Sequence, residues 1–134
     1  MGMHNITIGA TGEQQLLVTT DVAISFLGME DARVLSTPHL IGYLERTSRD
    51  TVLPLLDEGF DTVGTHVNIF HRAAAPIGSV VTFISEITAV QDRRVQFKVT
   101  AKTDGELVGE GTHERAIINV ARFAIRIAEK KAKL

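Results

Sequence analysis

The chain has 134 residues, 44% of them hydrophobic and 22% charged, which is the balance of an ordinary globular domain and excludes a disordered or fibrous chain. Fourteen Lys and Arg face sixteen Asp and Glu, so the net charge of -2 provides no positive field that would attract nucleic acid or an anionic membrane. The sequence contains no cysteine, which excludes disulfides, thiolate nucleophiles and cysteine-ligated metals.

The first residues, MGMHNITIGATGEQQ, contain no basic leader followed by an apolar segment, and no window reaches the roughly 18 apolar residues of a membrane span. We therefore expect a cytoplasmic protein. The run QQLLVTT at residues 14–20 is rich in residues that favour strands, and it predicts an opening β-strand.

The next element is a helix that begins near Pro38. Ser36 or Thr37 can cap it, and Pro38 suits the first turn because its missing N–H would have no partner there. The spacing of apolar and hydroxyl residues predicts one buried side, formed by Leu40, Ile41, Leu44, Thr47 and Ser48. The helix should end near Leu53, since Pro54 disfavours further α conformation in the residue before it.

After Phe60 the pattern changes from helical to alternating, which is typical of strands. In VGTHVNIFH the alternation puts residues 63, 67, 69 and 71 on one face and residues 66, 68 and 70 on the other. Short turns then separate three further predicted strands, at residues 79–90, 94–102 and about 106–120. The last of these turns is Asp104-Gly105, a strong hairpin signal. Residues 121–134 form a tail without assigned structure.

This order of elements predicts an α+β domain over residues 1–134, with one long helix packed on a mainly antiparallel sheet of five or six strands. One helix covers only one face of such a sheet, and a second copy of the chain commonly closes what is left. We therefore expect a homodimer, and a tetramer stays open.

Glu45 is the first candidate for chemistry, because it follows Leu44 on the helix. It is either a carboxylate at the rim of the core or, if partly desolvated, a general base or nucleophile. His71 shares its face with apolar residues whereas His66 points the other way, so His71 is the better catalytic candidate. A histidine satisfied at the edge of the core is the alternative. Thr37 can serve the same site, although capping the helix is its favoured interpretation.

The last strand carries a further polar group. His113 and Arg115 share one face of this strand, and Glu114 lies on the other. A metal site built from His113, His66 and His71 is not favoured, because the sequence lacks HExxH or a similar ligand spacing. The nucleophile elbow GxSxG of serine hydrolases is also absent from the sequence.

Two more patterns have a structural interpretation beside a functional one. The glycines of GEG at residues 109–111 indicate a close backbone approach or a bulge more than a phosphate loop. Arg122, Arg126 and Lys130 recur every four residues, which indicates a solvated helix face or, less commonly, a stripe that contacts phosphate.

Three segments together resemble the fluoroacetyl-CoA thioesterase family, a branch of the hotdog-fold thioesterases. They are TPHLIGYLE in the helix, GTHVNIFHRAAAPIG on the following strand and GEGTHERAIINVARF on the last strand. The similarity covers roughly residues 34–123, and GTHERA is its most specific part. It implies the hotdog fold, in which an antiparallel sheet wraps one long helix. It also implies hydrolysis of a small acyl-CoA thioester to the free acid and coenzyme A, with no cofactor besides the coenzyme A of the substrate.

The resemblance also implies roles for particular residues. Thr37, Glu45 and His71 match the family's catalytic set in type and in order. Gly64 stands seven residues before His71, where the family approaches the thioester through a glycine backbone, and Arg115 is implied in organising the site or the ligand. In this scheme Glu45 attacks the carbonyl or activates water, and the N–H of Gly64 stabilises the oxyanion.

The similarity ends upstream of the helix. Relatives that favour fluoroacetyl groups carry an aromatic, apolar lid there, whereas this chain has GMEDAR at residues 28–33, with Phe26 and Leu27 as candidates to replace the lid. We therefore expect a small acyl group without specifying it. A non-catalytic module that binds or senses acyl-CoA is the alternative function, and an enoyl-CoA hydratase is a third.

Overall fold

The computed structural model describes residues 4–25 and 28–134. In chain order its helices and strands are β1 (Thr11–Leu17), α1 (Thr37–Val52), β2 (Phe60–His71), β3 (Val80–Gln91), β4 (Arg94–Thr103), β5 (Glu106–Asn119) and α2 (Val120–Lys131). The five strands form one antiparallel sheet in the order β1-β3-β4-β5-β2, so β1 and β2 are its edges. This confirms the predicted α+β architecture. Within the described ranges, no helix is long and apolar enough to cross a membrane.

Helix α1 packs on one face of the sheet through the predicted stripe. Four of its five predicted residues are buried, Leu40, Leu44, Thr47 and Ser48, whereas Ile41 is half-buried and Val52 extends the buried side by one turn. Its hydroxyl end tolerates burial because the polar atoms are bonded: Ser48 Oγ donates to the carbonyl of Leu44 at 2.9 Å and lies 2.8 Å from Ser85 Oγ. The helix ends at Val52, and a 3₁₀ turn over Leu53–Leu55 follows.

A register shift in β2 decides which of its side chains face α1. Gly64 lies opposite Arg115 and His66 lies opposite Glu114, which leaves Thr65 as an extra residue in β2. Residues directly opposite each other in an antiparallel pair point to the same side of the sheet, and Arg115 points toward α1. Even-numbered residues of β2 therefore face α1 before Thr65, and odd-numbered residues face it afterwards.

This shift corrects one prediction. Simple alternation predicts Val63 on the face of His71, but Val63 lies opposite Ala116 on the outer face. The prediction is wrong because alternation holds only along an unbroken ladder, and Thr65 interrupts it. The same shift brings Gly64 and His71 to the α1 side of the sheet, although they are seven residues apart.

The two ends of the chain also differ from the predictions. Strand β1 begins three residues before the predicted run at residues 14–20, because its length is set by pairing along β3. The tail that the pattern left unassigned forms helix α2, which Asn119 caps by accepting the N–H of Arg122 at 3.1 Å. The side chains of α2 are exposed apart from the half-buried Phe123, so no buried stripe marks this helix in the sequence.

Candidate active site

Glu45 lies in the third turn of α1, above the middle of β2 and β5. Its side chain is 41% exposed, and its Oε2 lies 3.5 Å from Nη1 of Arg115. A shallow cavity of about 240 Å³ adjoins this carboxylate and is also lined by Gly42, Arg46 and Arg49. Glu45 therefore borders open space and stands among three arginines.

Arg115 is held in place by Thr62 on the neighbouring strand. The arginine is only 6% exposed, its Nε donates to Thr62 Oγ1 at 2.7 Å, and its Nη2 donates to the Thr62 carbonyl at 3.0 Å. Burial lowers the pKa of Arg115, while the nearby charge of Glu45 acts in the opposite direction. A guanidinium nevertheless stays charged at neutral pH. The two bonds to Thr62 thus fix a positive charge with its Nη1 turned toward Glu45.

His113 joins this group, a role that the sequence did not assign to it. Its Nδ1 lies 2.8 Å from the carbonyl of His66, and its Nε2 lies 3.2 Å from Nη1 of Arg115. Since a carbonyl only accepts and a guanidinium only donates, His113 is the neutral tautomer with the proton on Nδ1. Burial lowers the pKa of His113, which favours the same neutral form. The shared face of His113 and Arg115 was the one signal in the sequence for this contact.

Position 64 requires a glycine because the backbone of β2 comes close to a side chain of α1 there. A Cβ atom added to it would overlap Glu45 Oε2, and it would lie 3.4 Å from Cε1 of His113. The backbone of Gly64 lies outside the left-handed region, so the glycine is explained by space and not by conformation. The carboxylate of Glu45 therefore rests directly against the main chain of β2.

Thr37 and His71 meet at the beginning of α1. Thr37 Oγ1 lies 2.8 Å from His71 Nδ1. The helix cap is Ser36, whose Oγ accepts the N–H of His39, so the favoured assignment of Thr37 as the cap is wrong. Because Ser36 fills this role, the hydroxyl of Thr37 is available to orient the imidazole. The other ring nitrogen of His71, Nε2, is buried and has no hydrogen-bond partner in the described part of the chain.

The protomer thus presents the predicted residues in two groups. The carboxylate group contains Glu45, Gly64 and Arg115, and the imidazole group contains Thr37 and His71. Across residues 4–25 and 28–134, no hydrogen bond or ion pair links the two groups. Eight helical residues rise about 12 Å, which accounts for the separation along α1.

The segment before α1 is tied down by Arg33. Its Nη2 donates to the carbonyls of Thr20 and Ala23, at 2.9 and 3.1 Å. Arg33 belongs to GMEDAR, the segment in which the resemblance implies an apolar lid. The two residues considered as its replacement, Phe26 and Leu27, lie outside the described residues.

Comparison with known proteins identifies relatives of the whole fold. The fluoroacetyl-CoA-specific thioesterase family matches residues 18–121. A fluoroacetyl-CoA thioesterase from Streptantibioticus cattleyicolor is 33% identical over 101 residues, which are 75% of this chain and 73% of the relative. A mutant of the fluoroacetyl-CoA-specific thioesterase, crystallised with fluoroacetate and CoA, superimposes with a TM-score of 0.79 at 28% identity and covers 88% of this chain and 99% of its own.

A Thermus thermophilus protein of the thioesterase superfamily superimposes with a TM-score of 0.89 at 27% identity, over 98% of this chain and 97% of its own. These similarities extend over most of the chain and confirm the hotdog fold and the predicted class of thioester hydrolase. The chain therefore belongs to the fluoroacetyl-CoA-specific thioesterase family.

Proposed function

We propose that this thioesterase hydrolyses a small acyl-CoA, with Glu45, Thr37 and His71 as catalytic residues and with Gly64 and Arg115 binding the substrate. The observation that carries the proposal is the contact between the Glu45 carboxylate and the bare backbone of Gly64. A flat thioester carbonyl can be held against a main chain that has no side chain, within reach of the attacking oxygen.

The reaction adds one water oxygen to the carbonyl carbon and breaks the carbon–sulfur bond. Glu45 either attacks the carbonyl to form an anhydride, which water then hydrolyses to regenerate the carboxylate, or removes a proton from an attacking water. In both routes water supplies the proton that the departing sulfur takes, and both need the same carboxylate position. The N–H of Gly64 and the charge of Arg115 stabilise the oxyanion. His71, oriented by Thr37, returns the proton to the sulfur of the departing coenzyme A. The scheme needs no cofactor besides the coenzyme A of the substrate.

The relatives support small acyl groups as the first substrates to test. Their names specify fluoroacetyl-CoA, and one of them was crystallised with fluoroacetate and CoA. Acetyl-CoA, fluoroacetyl-CoA and propionyl-CoA therefore form the initial panel. Release of free thiol measures turnover, and wild type is compared with Glu45→Ala and His71→Ala. Full turnover by Glu45→Ala would remove Glu45 from the mechanism. Binding of acyl-CoA without thiol release by wild type would leave only a binding module.

A homodimer through the β2 edge is the second part of this proposal. Residues 64–68 of this edge strand are exposed, and it also carries two exposed apolar side chains, Val67 at 42% and Phe70 at 50%. If two β2 edges pair antiparallel about Asn68, with Thr65 as the extra residue, His71 of the partner subunit lies opposite Gly64. All α1-facing groups then lie on the same side of the extended sheet. This pairing unites the imidazole group of one chain with the carboxylate group of the other.

Mixing two inactive variants tests this shared site. Glu45→Ala and His71→Ala are unfolded together and refolded, which makes half of the dimers mixed. Each mixed dimer has one site with both residues intact, so about a quarter of wild-type activity per chain should return. In a control mixture of Glu45→Ala and Gly64→Ala, each chain has a substitution in its carboxylate group. Neither site of a mixed dimer is then intact, so no activity should return. No recovery in the first mixture, with an affinity tag on one variant retaining the untagged other to show that mixed dimers formed, would place Glu45 and His71 in separate sites.

A further inference from the structure

A second cavity lies where β5 passes into α2, and its polar lining is almost entirely basic. The cavity has a volume of about 450 Å³. Three arginines, Arg93, Arg122 and Arg126, line it together with Asn119 and with apolar residues of β2 and β5. The three arginines are exposed to solvent, and a cavity lined by three guanidinium groups favours a multiply charged anion.

The three charges have no carboxylate partner among the residues that the structure describes. The contact of Arg126 is with an aromatic ring: its Cζ lies 5.6 Å from the ring centroid of Phe123. Like charges gathered without a counterion repel one another, so a bound anion would relieve this repulsion.

The arginines come from two elements that the backbone ties together. Arg93 lies in the turn between β3 and β4, and its carbonyl accepts the N–H of Ile117 in β5 at 2.7 Å. Arg122 and Arg126 are one turn apart on α2, whose first turn is capped by Asn119. The N-terminal end of α2 adds its own partial positive charge to the cavity. The basic stripe noted in the sequence therefore converges with a turn residue from elsewhere in the chain.

The cavity lies along the same strand as the carboxylate group. Ile117 and Asn119 follow Arg115 by two and four residues on β5, which corresponds to roughly 7 and 14 Å along the strand. A CoA thioester carries its acyl group on a pantetheine arm and its phosphates at the opposite end. Substrate bound at Glu45 can therefore extend along β5 and place its phosphates among the arginines.

We propose that Arg93, Arg122 and Arg126 bind the phosphates of the 3′-phosphoadenosine diphosphate end of the acyl-CoA substrate. This inference rests on the proposed hydrolysis at Glu45, because that reaction places the pantetheine arm near β5. Inorganic phosphate or a free nucleotide would offer the same chemistry from another source, and the experiment distinguishes them.

The first test compares two substrates that differ only in the phosphate-bearing end. For Arg122→Gln/Arg126→Gln, KM for acyl-CoA should rise about tenfold or more, while kcat stays within about twofold. KM for the same acyl group on pantetheine should not change. The control Lys131→Gln/Lys133→Gln removes the same charge from the end of the chain without touching the cavity, and it should keep the wild-type KM. An unchanged KM for acyl-CoA in the arginine variant overturns the proposal.

Calorimetry gives a readout that does not depend on turnover. Adenosine 3′,5′-bisphosphate should bind wild type and the lysine control alike, and should bind the arginine variant about tenfold more weakly. Inorganic phosphate that binds as tightly as the nucleotide would make this a phosphate site and overturn the assignment to coenzyme A. Wild type that binds the nucleotide but hydrolyses no thioester would refute the proposed reaction instead, so the two failures are distinguishable.

Discussion

Substitution of Gly64 by alanine tests the centre of the proposed site. The added methyl group would overlap Glu45 Oε2, and this oxygen belongs to the free end of a side chain that is 41% exposed. Glu45 can therefore swing into solvent, and its part-buried contact with Arg115, open to water on the side of Glu45, is worth about 1 kcal/mol. Alanine also suits the backbone of Gly64, which is not in the left-handed region. We expect the free energy of unfolding to change by less than about 1 kcal/mol.

Catalysis should respond far more strongly. Moving a reacting group by about an ångström lowers the rate on the order of a hundredfold, which corresponds to about 2.7 kcal/mol in the activation barrier. We therefore expect kcat/KM of Gly64→Ala to fall about a hundredfold while the protein stays folded. The measurements are thiol release from acyl-CoA and urea denaturation of the same preparation.

Gly12→Ala is a matched control. Gly12 lies on β1, the other edge strand, and a Cβ there would overlap the side-chain hydroxyl of Thr51 in the last turn of α1. The kind of collision is the same, but it is remote from Glu45, so the activity per folded molecule should match wild type. Full activity in Gly64→Ala, or a loss of activity in Gly12→Ala equal to that in Gly64→Ala, would refute the reasoning.

Three further substitutions probe the surroundings of the site. Arg115→Lys keeps the charge but lacks the planar fork that donates to both oxygens of Thr62 and turns Nη1 toward Glu45, so kcat/KM in the thiol assay should fall at least about tenfold; unchanged turnover would contradict this. In Gly111→Ala the added Cβ would overlap the backbone of Asn68, which cannot move aside as a side chain can. Urea denaturation should therefore show that the free energy of unfolding falls by about 2–4 kcal/mol. A fall of less than about 1 kcal/mol would be evidence against the close approach. Burial lowers the pKa of His113 in the folded protein. As the pH falls below about 6.5, the unfolded chain therefore binds a proton at this histidine before the folded protein does. The free energy of unfolding should then decrease toward acid pH, by up to about 1.4 kcal/mol per pH unit. His113→Gln should lack this part of the decrease between pH 7.5 and 5.5, and equal slopes in the two proteins would show that burial of His113 is not its cause.

Much of the fold could be predicted because its signals are local. The stripe that begins at Leu40 and the hairpin turn at Asp104-Gly105 both appear in the structure where the sequence indicates them. Helix α2 was left unassigned because its side chains do not face the core of the protomer, although the four-residue repeat of Arg122, Arg126 and Lys130 was a helical signal. The extra residue Thr65 gives no such signal, since a single inserted residue leaves the composition of a strand unchanged.

The candidate site was predicted in part. The residues that the resemblance singles out form two contact groups, Glu45 with Gly64 and Arg115, and Thr37 with His71, while their catalytic roles stay predictions. The distance between the two groups follows from the rise of helix α1 and could be predicted from the spacing of Thr37 and Glu45. The sequence predicts a second copy of the chain, but it does not indicate which edge of the sheet that copy would contact. The capping role of Ser36 in place of Thr37 is a choice between adjacent hydroxyls, which residue type alone does not decide.

The extra residue in β2 has a consequence for engineering this enzyme. Gly64 and His71 face the same helix only because the strand between them contains one residue more than its neighbour on β5. Removing that residue would rotate the histidine to the opposite surface while leaving every proposed catalytic side chain in the sequence. Transplanting this active site to another hotdog scaffold therefore requires copying the spacing of the strand as well as the identity of its residues.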